Sequence, residues 1–183
     1  MIIDAKNKLI IKSKLEELNI LLTNYDFHLI IDGGNLGYFS SNNQDINIIF
    51  MRNYINKILN KINKYTLLII HDRHQQKIKQ LNINNKYLII YYSPQFVDDD
   101  LFWLYSSIYS NAFILTNDQS RNNSCMFSYQ YEIKQWLEYY QIKINNELII
   151  PNVINKYNIN NIIVNNNNIH LIINNNKVIC IKI

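Results

Sequence analysis

Three consecutive carboxylates, Asp98, Asp99 and Asp100, run directly into the apolar segment Leu101 to Tyr105 in a chain that carries only 14 acidic residues. Adjacent aspartates repel one another and resist ionising together, so a site that keeps them close calls for a cation. Two further aspartates each end a hydrophobic run: Asp32 follows Phe27 to Ile31, and Asp118 follows Ala112 to Asn117. In an open α/β sheet, ligands collect at the carboxyl ends of strands. If these runs are neighbouring parallel strands, Asp32, Asp99, Asp100 and Asp118 converge. Four such oxygen donors suit one or two hard divalent cations, Mg²⁺ or Mn²⁺, and leave coordination positions for a phosphate and an attacking water. That chemistry is phosphodiester hydrolysis. No Ser-His-Asp order, P-loop or HExxH segment competes with it, and Asp32-Gly-Gly-Asn-Leu-Gly37 is not the GxGxxG of a dinucleotide site.

The elements that must hold these residues follow from hydropathy. Leu9, Leu15, Leu18 and Leu22 predict an amphipathic helix over about 11–23. The strand Phe27 to Ile31 leads into a tight loop at 32–37. A second helix is expected with Ile46, Ile49, Phe50, Ile58 and Ile62 on one face and Lys57, Lys61 and Lys64 elsewhere. Strands are expected at 66–70 and 86–92, the latter broken by Ser93-Pro94. Asp98 to Asp100 then serve as N-cap and acidic first turn of a helix, favourable to its dipole. The strand 112–116 and helices near 118–127 and 129–140 complete an alternating β/α pattern. Beyond Gln141 the pattern changes to short strands between asparagine turns, with Ile169 to Ile173 and Lys177 to Ile181 reading as a hairpin. The expected division is a domain at 1–141 and a small β appendage at 142–183.

At 183 residues and 48% hydrophobic, the chain is long enough for one domain with a buried core. Abundant Ile, Asn, Lys and Tyr beside 3 Gly and 2 Pro reads as the bias of an AT-rich coding sequence, not as a functional signal. The net charge is +4. With five aspartates gathered into one pocket, the remaining surface is more basic than the total, which favours a polyanionic partner. Cys125 and Cys180 form neither a CxxC pair nor a disulfide framework. No apolar run reaches the length of a membrane span and lysines interrupt the first apolar residues, so the expectation is a soluble, intracellular protein without membrane contact.

Three segments resemble a known family. Ile31-Asp32-Gly33-Gly34-Asn35-Leu36-Gly37 is similar to the Asp-Gly-x-Asn segment of PIN-like NYN nucleases, and more specifically of the metallonuclease domain of protein-only ribonuclease P. Asp99-Asp100-Leu-Phe-Trp103-Leu104-Tyr105 resembles that family's Asp-Asp-x-x-Trp-Leu-Tyr, and Leu115-Thr116-Asn117-Asp118-Gln-Ser-Arg121 its Thr-Asn-Asp-x-x-Arg. His71-Asp72-Arg73-His74 and Trp136 to Ile142 add weaker similarity. The resemblance implies an α/β PIN-like NYN fold, a parallel sheet flanked by helices. It also implies that Asp32, Asp99, Asp100 and Asp118 are the catalytic metal-binding carboxylates, and that the activity is Mg²⁺-dependent removal of 5′ leaders from precursor tRNA. Arg73, His74, Lys77 and Arg121 are then candidate phosphate contacts, and Asn35 a support for the loop or for a water at the metal. Trp103 is expected in the core.

The chain departs from the family in three ways. Asn122-Asn123 stands where the family continues with Asp-His, removing a carboxylate near the site. His170 and Cys180 match half of the family's zinc module, but its CxxC is missing, so structural zinc is not expected. Nothing has the period of the helical repeat that grips tRNA in other members. Recognition is therefore expected from the nuclease surface, from a homo-oligomer or from a separate RNA-binding partner, with the aromatic helix at Tyr129, Tyr131, Trp136, Tyr139 and Tyr140 as the candidate contact. The alternatives are an NYN nuclease acting on other RNA and a catalytically inactive RNA-binding or scaffold subunit. Four carboxylates facing phosphates argue against the second, since a binding module gains nothing from them.

Overall fold

The computed structural model describes residues 5–41, 45–118, 136–145, 159–165, 168–173 and 177–182. A five-stranded parallel sheet forms its centre, in the order β3-β2-β1-β4-β5, with β1 at Phe27–Asp32, β2 at Tyr65–His71, β3 at Leu88–Ser93, β4 at Phe113–Leu115 and β5 at Gln141–Ile142. Leu29 to Ile31 and Leu67 to Ile70 have almost no exposure on either side of the sheet. Such unbroken apolar runs belong to parallel strands covered on both faces. The helices that flank the sheet are α1 (Ala5–Asn24), α2 (Gly33–Tyr38), α3 (Ile48–Ile62), α4 (Gln75–Ile78) and α5 (Asp100–Ser110).

Helix α1 begins earlier than its leucine pattern predicts, and its buried face is Ile11, Leu15, Leu18 and Leu22. Leu9, expected on that face, is 69% exposed. It precedes Ile11 by two residues, about 200° around the helix. The Tyr91 hydroxyl donates to the Lys14 carbonyl at 2.6 Å and that of Tyr105 to Asn19, tying α1 to β3 and α5. In α3 the expected face is also rotated: Met51, Tyr54, Ile55, Ile58 and Leu59 are buried, while Ile49 is 72% exposed and Phe50 and Ile62 are half-buried. Isoleucine is so frequent here that several helical phases look equally apolar, and only packing selects one. The ends of α3 are conventional: Asn47 caps the amide of Phe50, and Asn63 closes the helix at φ 49°.

The segment after β1 is not the loop expected from its glycines. Asp32 caps the short helix α2 through the Asn35 amide, and α2 starts against β2. A Cβ on Gly33 would lie 2.7 Å from the Ile69 carbonyl oxygen, so glycine is required by close approach. Helix α5 is buried from Asp100 to Ile108, as suits a helix enclosed on all sides. Trp103 lies fully in the core, as its helical spacing predicts.

Residues 136–140 are helical and lead straight into β5; the remainder of the two helices expected between 118 and 140 lies outside the described residues. Ile142 pairs with Leu115 and Ile144 is buried, so the parallel sheet continues past the expected boundary at 141. A separate antiparallel sheet, β6 (Ile159–Asn165), β7 (Asn168–Ile173) and β8 (Lys177–Lys182), contains the expected hairpin and one more strand. Its register sets His170 opposite Cys180. Among the described residues no helix is long and apolar enough to cross a membrane.

Candidate functional site

The chain leaves β1 to build β2 and β3 on one side, then returns to place β4 on the other. The point where strand order reverses, between β1 and β4, opens a crevice at the carboxyl ends of the strands. Asp32 ends β1, Asp118 lies just beyond β4, and Asp98 to Asp100 enter from the start of α5, which packs on both strands.

Asp32 is buried and held at both oxygens. Its Oδ1 accepts the Asn35 amide at 2.9 Å, and its Oδ2 accepts the Thr116 hydroxyl at 2.7 Å. The Thr116 oxygen in turn accepts the Asp118 amide at 3.0 Å, so one hydroxyl sets the relation of two carboxylates. Asn35 Oδ1 accepts the Asn117 amide at 3.0 Å, locking α2 to the end of β4. Asn117 pairs with the Ile144 backbone in both directions, at 2.8 and 3.1 Å. Gln141 Nε2 donates to the carbonyls of Thr116 and Asp118. Thr116, Asn117 and Gln141 were not singled out as site residues by sequence, because their roles depend on β4 lying between β1 and β5.

Asp98, Asp99 and Asp100 present carboxylate oxygens within 4.8 Å of one another, from exposed through half-buried to buried. Asp99 occupies the N-cap position of α5 but makes no side-chain cap bond, whereas Asp98 Oδ1 accepts the Asp100 amide at 3.4 Å, so capping accounts for Asp98 and not for its two neighbours. Asp100 Oδ1 accepts the Trp103 indole N–H at 3.0 Å, which fixes its rotamer from beneath. Gly34 lies between the two halves of the cluster. A Cβ there would stand 3.3 Å from Asp99 Oδ2 and 3.5 Å from Asp32 Oδ1.

Burial, then the charge of Asp99, pushes the Asp32 carboxyl up to about 7. Burial and then Asp98, with Asp118, Asp32 and Asp99 behind it, raises Asp100 to about 8. Asp99 is raised by burial and by Asp98, against the opposing charges of His71 and Arg73. Asp32, Asp99, Asp100 and Asp118 thus share one electrostatic field. A carboxylate set this crowded and desolvated has the donor chemistry for a hard divalent cation, which would replace the retained protons.

No protein-family model matches the chain. Two curated Arabidopsis thaliana proteins are similar to it: proteinaceous RNase P 2, 22% identical over 131 residues, and proteinaceous RNase P 3, 23% identical over 132. Each match covers 64% of this chain and 24% or 22% of the relative. Two solved structures of the first of these proteins superpose with TM-scores of 0.56 and 0.61 at 20% identity, covering 78% and 93% of this chain. This chain is a distant homologue of proteinaceous RNase P. It spans about a quarter of those curated relatives and 35–39% of the solved chains. The homology is to the nuclease (NYN) domain of proteinaceous RNase P, and the helix-flanked parallel sheet is the fold in common.

The basic residues expected to meet phosphate in this proteinaceous RNase P homologue are distributed unevenly. Arg73 is exposed, acts on Asp99, and makes no ion pair among the described residues. His74 is buried; its Nε2 accepts from Arg73 Nε at 3.0 Å, and burial, then Arg73, lowers its pKa, so it braces Arg73 as a neutral ring. Lys77 is ion-paired with Asp45. Arg121 lies outside the described residues, as do Tyr129 and Tyr131. Two further nitrogen-bearing side chains were not anticipated at the site. His71 ends β2 near Asp99, and Lys143 follows β5 within the field of Asp118. In the described end of the aromatic helix expected as a partner surface, two rings turn inward: Trp136 and Tyr140 are buried and stacked at 3.8 Å, and their polar atoms reach Ser107 and Asn111. Tyr139 alone of these described aromatics is exposed, at 64%.

Proposed function

We propose that this chain is a divalent-metal-dependent endoribonuclease of the protein-only RNase P type, which removes 5′ leaders from precursor tRNA. Asp32, Asp99, Asp100 and Asp118 are proposed as its catalytic carboxylates and as the ligands of Mg²⁺ or Mn²⁺. The observation that supports the reading is the Asp98-Asp99-Asp100 carboxylate cluster at the start of α5, with Asp32 at the end of β1 and Asp118 just beyond β4 near enough for their charges to act on Asp100. Bound there, the metal would lower the pKa of water and offset charge on the phosphate.

The chain's own residues supply position. Thr116 and Asn35 fix both oxygens of Asp32, Trp103 fixes Asp100, and Gln141 holds the backbone of Asp118. A preorganised acidic floor avoids reorganisation at the moment of reaction. Arg73 and Lys143, on opposite sides, are proposed to meet the phosphates flanking the cut. No side-chain nucleophile is needed: water attacks phosphorus, the bond to the 3′ oxygen of the leader breaks, and the tRNA keeps a 5′ phosphate.

Two flanking cations give weak affinity with little specificity. Recognition of the rest of the tRNA therefore needs contacts beyond these two, and a second copy of this chain or a separate RNA-binding protein is among their proposed sources. The test is incubation of purified protein with a 5′-extended precursor tRNA and Mg²⁺, followed by mapping of product ends. One cut yielding the mature 5′ phosphate is expected. Scattered cuts would transfer the reading to an NYN nuclease of other RNA, and no cleavage in either metal would leave a binding subunit.

A further inference from the structure

Helix α2 starts at the cluster and ends at an aromatic surface. Phe39, immediately after α2, is 39% exposed and stacks on Phe50 of α3 with ring centroids 5.7 Å apart and planes inclined by 28°. Phe50 continues to Tyr54 at 5.5 Å, and Ile49 beside it is 72% exposed. Hydrophobic packing alone would turn such side chains inward, and here it leaves Phe39 and Ile49 open to water with Phe50 half-buried between them.

The surface is continuous with the carboxylates. Tyr38, next to Phe39, meets the His74 ring edge-on at 6.0 Å; His74 accepts from Arg73; and Arg73 lies in the field of Asp99. Six residues of helix separate Asp32 from Phe39, about 10 Å along its axis. A polynucleotide with its scissile phosphate at the cluster has its next nucleotides over this stretch. Phosphate would meet Arg73, which makes no ion pair among the described residues, while Lys77 is taken up by Asp45.

We infer that the Phe39–Phe50 stack, reached from the cluster through Arg73, His74 and Tyr38, is a platform on which a base of single-stranded RNA beside the scissile phosphate stacks. This rests on the nuclease reading and names the part of the substrate that this flank holds. Stacking tolerates any base, because every base has a π face, and so suits unpaired segments that share no sequence. A protein partner would also cover an apolar surface, but seated this near the carboxylates it would lie across the path of the substrate strand.

The test uses the full chain in EDTA, where no cleavage occurs, and a single-stranded oligoribonucleotide carrying 2-aminopurine. Wild-type protein is expected to bind it and quench the fluorophore. Phe39→Ala weakens binding about tenfold and abolishes the quench, Phe39→Leu does the same although it keeps apolar volume, and Phe39→Tyr behaves like wild type. Circular dichroism and melting of each variant monitor the fold. No wild-type quench, or equal binding by Phe39→Leu and wild type, overturns the inference and assigns the surface to a protein partner. The two readings fail separately. Stacking without precursor cleavage removes the RNase P activity and keeps the platform; accurate cleavage by Phe39→Leu with wild-type KM at every leader length removes the platform and keeps the activity.

Discussion

On the β4–β5 side of the carboxylate cluster, Thr116, Asn117 and Asp118 are each tied to another element by side-chain or backbone bonds between 2.6 and 3.1 Å. On the β2–α2 side the polar groups are held more loosely: among the described residues the exposed Arg73 has its guanidinium braced by His74 alone, and Asp45 with Lys77 is a surface pair. The first arrangement fixes where negative charge sits, and the second leaves a cation free to follow a flexible strand. Rigidity is needed where ligand oxygens must converge; adaptability is needed where phosphates arrive in variable geometry.

Replacing the carboxylates themselves should have the largest effect. Asp99→Asn and Asp100→Asn each remove a ligand charge at nearly constant volume, and cleavage should fall by about 10²–10³-fold with circular dichroism unchanged. Near-normal turnover in Mg²⁺ by both variants would dismiss the cluster as the catalytic centre. On the clamped flank, Asn117→Ala releases Ile144 and with it Lys143, and should weaken metal binding by roughly 10–100-fold in calorimetry, the scale of losing a group that orients a ligand.

Two adjacent glycines separate fold from site. Gly33→Ala drives a methyl group into the Ile69 carbonyl and the Ile70 side chain, and should destabilise the protein by about 1–3 kcal/mol in denaturant melts. Gly34→Ala meets only carboxylate oxygens, so stability should hold while metal affinity drops roughly tenfold. A large stability loss in the Gly34 variant would contradict a contact limited to the side-chain oxygens of Asp99 and Asp32.

The clamped carboxylates also set a pH dependence. In the metal-free protein Asp32 and Asp100 keep protons up to about 7 and about 8, against 3.8 when unfolded, so the native state binds more protons between those limits. The contribution of these two carboxyls to stability is therefore largest below 3.8 and falls as pH rises through that window. Asp100→Asn should flatten the fall and melt several degrees above wild type at pH 8 in EDTA, while Mg²⁺ raises the melting temperature of wild type more than that of the variant. Identical melting in EDTA at pH 5 and pH 8 would refute the crowding of charge. The smallest effect belongs to the open flank. Arg73→Ala should reduce the slope of log affinity for RNA against log salt by about one, and Lys77→Ala by less, because Asp45 already neutralises it.

The sequence marked the strands that carry Asp32 and Asp118 because their apolar runs are short, unbroken and ended by polar residues, a pattern that only a doubly covered strand satisfies. It marked Asp98 to Asp100 because three adjacent like charges have few structural uses. It misjudged α1 and α3 where isoleucine-rich composition makes neighbouring helical faces equivalent, and it took 32–37 for a loop because glycines forced by contact with β2 resemble glycines chosen for a turn.

The residue types alone therefore determined which atoms could hold a cation and that a parallel sheet would carry them, since ionisation chemistry and hydropathy are local properties. Which neighbours hold those atoms was decided by the tertiary structure. Thr116 reaches Asp32 across 84 positions, Asn117 meets Asn35 across 82, and β5 beside β4 brings Gln141 and Lys143 to Asp118. Burial is likewise a property of the folded chain: the same aspartyl carboxyl that titrates at 3.8 in water waits until about 7 or 8 where strands and helix shut the water out.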